Sequence, residues 1–344
     1  MTKFYDGTRL LSLKDVNGNK PEIYMCTSNR SAGKTTYFNR LVTNRFLKKN
    51  QKFALLYRFN YELDGIEDKF FKDIERLFFK GHIMESKNRM KGIYRELFLD
   101  GVPCGYAISI NSADQLKKNS HLFSDVDSIV FDEFQSEQNH YCEKELQKFI
   151  SIHNSIARGN SEQSRYVPVY MMSNPVTILN PYYVAMGIST RLNDNVNFLR
   201  GKGFVLEQGY NESAAQALKQ SAFNMAFQND DYIAYSSEAK YLQDDFAFVE
   251  TPKGRGNYIA TIRYANRDYA VREFVDLGIV FCDNRVDYQF PLRLTIEPED
   301  HKTNYVMVNT NFILLQKLRF YFEHGAMRFK DLQSKDAILH ALCF

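Results

Sequence analysis

Short apolar blocks alternate with polar turns along the first half of this chain, and the spacing within each block predicts strands and helices in turn. Glu22-Ile23-Tyr24-Met25-Cys26-Thr27 reads as a strand. A helix is expected from about Lys34 towards Lys49, where Tyr37, Phe38, Leu41, Val42, Arg45 and Phe46 recur at near-helical intervals. Further strands are expected at Phe53 to Tyr57, Tyr106 to Ile110, Ser128 to Phe134 and Val167 to Met172, with a helix-like stretch from Leu146 to Ala157. The alternation predicts an α/β fold built on a mainly parallel sheet flanked by helices.

The pattern changes after about Gly201. Gly201, Gly203 and Gly209 precede Asn211-Glu212-Ser213 and an alanine-rich helical run from Ala214 to Phe227, with Ser213 placed to cap it. From about Ser236 the pattern turns to strands, at Phe246 to Glu250, Tyr258 to Tyr264, Tyr269 to Phe274 and Gly278 to Cys282. Turns fall at Pro252-Lys253-Gly254 and Asn266-Arg267-Asp268. A helix from about Asn311 to Glu323 follows. The expected domains are residues 1–200, a linker or helical lid over 201–235, and a smaller α+β domain over 236–344.

The segment Ser28-Asn29-Arg30-Ser31-Ala32-Gly33-Lys34-Thr35-Thr36 lies between an apolar strand and a helix, the setting that a phosphate-cradling loop requires. In such loops backbone N–H groups wrap the phosphates, a lysine reaches the terminal ones and a hydroxyl ligates magnesium; Gly33, Lys34 and Thr35 suit those roles. The helix N-terminus adds roughly half a positive charge to the anion site. Ser28 stands where the consensus has its first glycine, so the opening turn of the loop is expected to differ if it needs a positive φ. An ordinary strand-to-helix turn is the bland alternative.

Ser128-Ile129-Val130-Phe131-Asp132-Glu133-Phe134 reads as a buried strand that delivers two carboxylates to its C-terminal edge. Asp132 is placed to hold magnesium through water, and Glu133 to orient or deprotonate an attacking water. A third strand ends in Ser173-Asn174, where Asn174 can sense a terminal phosphate. Extra strands between the two motifs, with a glutamate directly after the magnesium aspartate, mark the additional-strand catalytic-glutamate class of P-loop ATPases. Hydrolysis that drives motion is therefore favoured over phosphoryl transfer to a small acceptor.

Taken together, Asn29-Arg30 before Gly33-Lys34-Thr35, the run Ile129 to Phe134, the stretch Ser173-Asn174-Pro175 through Asn180-Pro181-Tyr182, and the segment from Leu318 to Phe329 resemble the DNA-packaging (encapsidation) ATPases of phi29-like tailed phages. The resemblance covers most of the chain and is most specific in the first 185 residues. It implies a homopentameric ring, fuelled by ATP with Mg2+, that pumps double-stranded DNA through a portal into an empty procapsid in the host cytoplasm. It also implies that Arg30 is the arginine such enzymes carry in the phosphate loop, and that Arg158 is an arginine finger acting on the neighbouring subunit, with Arg165 as its rival. Whether a scaffold RNA is used is left open.

The resemblance places DNA-gripping loops near Lys117 and Lys118, and the run Lys80, Lys87, Arg89 and Lys91 is a second candidate. It further implies that residues 236–344 form a degenerate ribonuclease-H-like domain. Asp268 and Asp283 sit at expected strand ends with no evident carboxylate partners, so no nuclease activity is expected.

Composition narrows the alternatives. With 44 basic against 41 acidic residues the net charge is only +3, so composition alone does not announce a nucleic-acid partner, although a motor that grips and releases suits such a balance. The five cysteines are scattered and read as reduced thiols, the seven histidines form no metal-ligand motif, and no apolar stretch is long enough to span a membrane. Another ring translocase or helicase, and a non-hydrolysing nucleotide switch, remain open. The adenine-stacking residue is unassigned, with Phe4 and Tyr5 as candidates whose alternative role is packing against the sheet edge.

Overall fold

Ile23–Thr27 forms a strand because its residues are apolar and almost wholly buried, and Gly33, at φ 94°, turns the chain from the loop that follows into helix Lys34–Lys49. In that helix Phe38, Val42 and Phe46 recur every fourth residue and form the buried stripe, while Asn50 in the left-handed region ends it. A computed structural model describes residues 4–158, 163–192, 196–227, 231–238 and 248–343.

The strands, in chain order, are β1 Ile23–Thr27, β2 Lys52–Tyr57, β3 Met84–Arg89, β4 Tyr94–Leu99, β5 Val102–Ser109, β6 Val126–Asp132, β7 Val169–Ser173, β8 Phe198–Gly201, β9 Phe204–Gln208, β10 Phe248–Val249, β11 Asn257–Tyr264, β12 Arg267–Phe274, β13 Ile279–Asp283, β14 Arg293–Thr295, β15 Val306–Met307 and β16 Met327–Phe329. The helices are α1 Thr8–Ser12, α2 Lys34–Lys49, α3 Ile66–Phe78, α4 Ala113–Lys117, α5 Glu145–Ala157, α6 Pro181–Ala185, α7 Glu212–Lys219, α8 Ala222–Ala226, α9 Asp231–Glu238, α10 Phe312–Glu323 and α11 Leu332–Leu342.

The chain divides into two compact units, residues 1–176 with 194–240, and residues 177–193 with 241–344. The first unit is built on a nine-stranded sheet in the order β3-β4-β5-β2-β6-β7-β1-β9-β8. Strands β5, β2, β6, β7, β1 and β9 run parallel, and antiparallel pairings occur at the two edges. Apolar residues of α2 and α3 pack on this sheet with Tyr24, Phe53, Leu55 and Val130. Phe38 stacks on Tyr170 with ring centroids 5.3 Å apart, which ties α2 to β7. Truncating such a buried phenylalanine to alanine costs about 3–5 kcal/mol.

The strand separating β1 from β6 in the sheet is β7, which comes after β6 in the chain. The expected boundary at residue 200 does not separate the sheets: β9 pairs with β1 over its full length, so the start of the expected linker is part of the first unit's sheet, one strand in from its edge. Residues 177–193, expected in the first domain, belong to the second unit, where Ile178, Leu179 and Val184 join its core. The alanine-rich run divides into α7 and α8, because Ser221 caps a new helix. Asn211, rather than Ser213, caps α7 by accepting the Ala214 N–H.

The second unit has a seven-stranded sheet in the order β10-β16-β13-β12-β11-β14-β15. β11, β12 and β13 form an antiparallel meander, extended by parallel β14 and β15 on one side and by β16 on the other. Helices α10 and α11 contribute Leu314, Leu318, Phe322, Ile338 and Leu339 to its core. Part of the strand expected from Phe246 lies outside the described residues.

Candidate active site

Strand register assembles the site within the first unit. Thr27 pairs with Ser173 across β1 and β7, and Asp132 pairs with Met172 across β6 and β7. The phosphate loop, Asn174 and the two carboxylates therefore emerge together at the C-terminal edge of a parallel sheet, where ligands bind in such folds.

In the loop, the residues with positive φ are Ser31 at 60° and Gly33 at 94°. Ser28 is not among them, so the serine in place of the first consensus glycine meets no steric penalty there. A Cβ on Gly33 would lie 3.2 Å from Phe4 Cβ, which makes glycine the residue this turn accepts. No side chain caps the N-terminus of α2, which leaves its first backbone N–H groups to face an anion.

Lys34 is buried, and its ammonium donates to Ser28 O and Ser28 Oγ at 2.9 Å each, and to Asn29 O and Asn174 Oδ1 at 3.3 Å each. Burial pulls its pKa below the ordinary lysine value, with Asp132 among the charges opposing that shift. The Thr35 hydroxyl donates to Asp132 Oδ2 at 2.8 Å. Burial pushes the Asp132 carboxyl up, opposed by the Thr35 hydrogen bond and Lys34. A hydroxyl and a carboxylate held this way, beside a buried lysine and free helix amides, fit a triphosphate with magnesium.

Glu133 follows in the left-handed region at φ 55°, and its N–H donates to Asp132 Oδ1 at 3.0 Å. Arg58, at the end of β2, holds this turn from beneath. Its Nη1 donates to Glu133 O at 3.3 Å and its Nη2 to Phe134 O at 2.8 Å, while Nε bonds both oxygens of Glu145 at 3.1 and 2.9 Å. The pair is almost wholly buried, so both ions depend on each other. Burial first, then the charges of Asp132 and Glu137, raise the Glu133 carboxyl, while Arg30 opposes them.

The Arg30 guanidinium pairs with Glu137 and lies over the rings of Tyr232 and Tyr235, at 5.1 and 5.8 Å. Its backbone N–H donates to Ser236 O at 3.0 Å, and Tyr235 donates to Glu137 at 2.7 Å. Arg30 Nε and Ser173 Oγ are buried without a hydrogen-bond partner among the described residues. A cavity of about 240 Å³ opens beside Arg30, Glu133 and Asn174.

On the other side of the loop, a cavity of about 460 Å³ is lined by Phe4, Ala32, Glu207, Tyr210 and Asn211. Tyr5 is not free to stack on a base. Its hydroxyl donates to Glu207 at 2.5 Å, its N–H to Ala32 O at 2.7 Å, and its ring packs on Tyr37 and Phe38. Asn29 and Asn211 bond each other reciprocally, Asn29 Nδ2 to Asn211 O at 3.1 Å and Asn211 N to Asn29 Oδ1 at 2.9 Å.

Arg158 is exposed at the end of α5 and has no hydrogen bond or ion pair among the described residues. Arg165 is committed internally to Val126 O, Ile156 O and Asp127. Lys117 is the last residue of helix α4 and Lys118 lies in the turn that follows it; both are exposed. Lys87, Arg89 and Lys91 lie on the edge hairpin β3–β4; Lys87 sits 4.4 Å over the Phe98 ring and Arg89 pairs with Glu96, which leaves Lys91 at the tip. Arg58 and Asn211 leave no mark in the sequence beyond being one polar residue at an element's end.

The fold and site define a P-loop NTPase with a strand inserted between its phosphate loop and its acidic strand. The chain belongs to the podovirus DNA encapsidation protein (Gp16) family, whose model matches residues 2–343. It is 23% identical over 306 residues to a DNA packaging protein of Bacillus phage phi29, covering 88% of this chain and 87% of that one. The bacteriophage Phi-29 viral genome packaging motor assembly contains a chain of similar fold, with 21% identity, 96% coverage of each chain and a TM-score of 0.60. The Phi-28 gp11 DNA packaging motor is similar too, with 14% identity, coverage of 99% and 98%, and a TM-score of 0.69.

Proposed function

We propose that this viral genome-packaging protein hydrolyses ATP to drive double-stranded DNA through a portal into a procapsid, working as a homo-oligomeric, pentameric ring. The observation that carries the reading is the Thr35–Asp132 hydrogen bond at 2.8 Å, with Glu133 next in the chain and Lys34 reaching Asn174. Bound magnesium would be held through Thr35 and Asp132 and would neutralise charge on the phosphates. Lys34 and the amides of residues 28–35 hold the phosphates, and Glu133 accepts a proton from the attacking water. Arg30, released from Glu137, reaches the phosphates from its own subunit, and Asn174 reports on the terminal one. Arg158 serves the neighbouring subunit; its exposure supports this role over Arg165. Phe4 and Tyr210 flank the base cavity, while Lys117, Lys118 and Lys91 offer exposed cations to the DNA backbone.

The second unit is proposed to act without cutting DNA, as a degenerate ribonuclease-H-like domain. Asp283 pairs with Arg272, and Asp268 with Arg263, which also lies near Asp300. Arginines thus neutralise both carboxylates, and this opposes metal binding there. Magnesium- or manganese-dependent plasmid cleavage abolished by Asp283→Ala would overturn that part. The motor reading is tested by hydrolysis with and without blunt duplex DNA. Stimulation by duplex supports it, while strand separation on a tailed substrate would favour a helicase.

A further inference from the structure

We infer that the first unit carries a second anion site, at the end of its sheet opposite the phosphate loop, that holds a phosphate group. A cavity of about 300 Å³ lies where β1, β6 and β7 begin and α2 ends. Lys34 and Lys49 are the first and last of the 16 residues of α2, which sets the two sites roughly 20 Å apart.

Three cations line this cavity: Lys20, Arg45 and Lys49. Its one carboxylate, Asp127, already accepts the Lys52 N–H at 3.0 Å and lies 3.8 Å from Arg165. Two tyrosines there are buried to within 2% of full enclosure, Tyr24 and Tyr170. The Tyr170 hydroxyl accepts a hydrogen bond from Arg45, and its own proton has no acceptor among the described residues. Tyr166 is partly exposed and donates to Pro21 O at 2.8 Å, with the Lys20 ammonium 3.9 Å over its ring.

Lysines at a helix C-terminus commonly complement the helix dipole, and Lys49 alone would need no other explanation. Arg45 differs, because its guanidinium is turned onto a buried phenol instead of the terminal carbonyls. Guanidinium, ammonium and a spare phenolic proton lining one half-open cavity suit a tetrahedral dianion or a phosphodiester. The cavity volume admits a phosphate with part of a sugar and excludes a duplex, so the source is either free phosphate or a nucleotide, or a backbone phosphate presented at the mouth.

The test uses the full chain with its nucleotide site saturated by ADP and magnesium. Inorganic phosphate is titrated by calorimetry into wild type, Lys49→Gln and Arg45→Gln/Lys49→Gln, and a labelled blunt duplex is titrated in parallel. We expect phosphate binding in wild type that weakens in Lys49→Gln and falls about tenfold or more in the double variant. Lys49 is exposed, so its single variant reports on the site without threatening the fold. Duplex affinity that falls in step, and is competed by phosphate, identifies a backbone phosphate. Duplex affinity unchanged while phosphate binding falls identifies a free anion. Phosphate binding that is absent in wild type, or equal in all three proteins, overturns the inference.

Discussion

The Thr35 hydroxyl and Asp132 Oδ2 lie 2.8 Å apart although 97 residues separate them in sequence. Thr35 is the second residue of α2 and Asp132 the last of β6, and they meet because β1, which leads into α2, and β6 flank β7 in the sheet. Thr35→Ala should lower magnesium affinity or magnesium-dependent hydrolysis roughly 10- to 100-fold, while Thr35→Ser retains most of it. Magnesium titration of the hydrolysis rate checks this; equal magnesium dependence in both variants would remove Thr35 from the metal site.

Glu133→Gln should bind ATP and stall, with hydrolysis falling about 100-fold or more. The pH profile gives an independent check. Burial and the charges of Asp132 and Glu137 raise the Glu133 carboxyl, and a base works only when deprotonated, so the rate should be lost as pH falls through a value above the ordinary carboxylate range. Glu137→Gln removes one raising charge and frees Arg30, which opposes the shift. Both effects should move the acid limb to lower pH, and a limb that moves up or stays would contradict this electrostatic account.

Arg58→Ala removes the arginine that pairs with the buried Glu145 and should destabilise the protein by about 3–5 kcal/mol, measured by denaturant unfolding. Arg58→Lys keeps the charge but loses the fork that bonds Glu145 while holding the Glu133 and Phe134 carbonyls. With the left-handed Glu133 turn less firmly held, its kcat should fall more than its KM rises. A change confined to KM would argue that Arg58 serves only substrate binding.

Tyr210→Ala should raise the KM for ATP about tenfold with little change in kcat, because base stacking contributes about 1–3 kcal/mol. Tyr5→Phe instead removes the hydroxyl bonded to Glu207 and should act on stability. KM unchanged in Tyr210→Ala would move the base elsewhere.

Much of this site was legible from residues 22–36 and 128–134, because an apolar strand followed by a loop with Gly33-Lys34-Thr35, and another followed by Asp132-Glu133, leave little freedom in where those groups emerge. Other features leave weak marks. Strand β3, Met84-Glu85-Ser86-Lys87-Asn88-Arg89, is an exposed edge with no apolar alternation, so nothing in its pattern signals a strand. β8 and β9 are short and joined at a Gly203 turn, which looks like a linker until β9 is seen beside β1. Ser213 and Asn211 are equally good caps by residue type, and the choice falls to Asn211, which is also bonded to Asn29. The Arg58–Glu145 pair depends on two residues 87 apart that only the folded sheet brings together.

The proposed motor is a ring whose subunits complete one another's sites. Its most direct test is steady-state ATP hydrolysis with and without double-stranded DNA, for wild type and Arg158→Ala alone and mixed in varied ratios. A coupled ring should show strong stimulation by DNA and a loss of activity steeper than linear in the mutant fraction. Activity indifferent to DNA and linear in the wild-type fraction would contradict it and leave independent subunits.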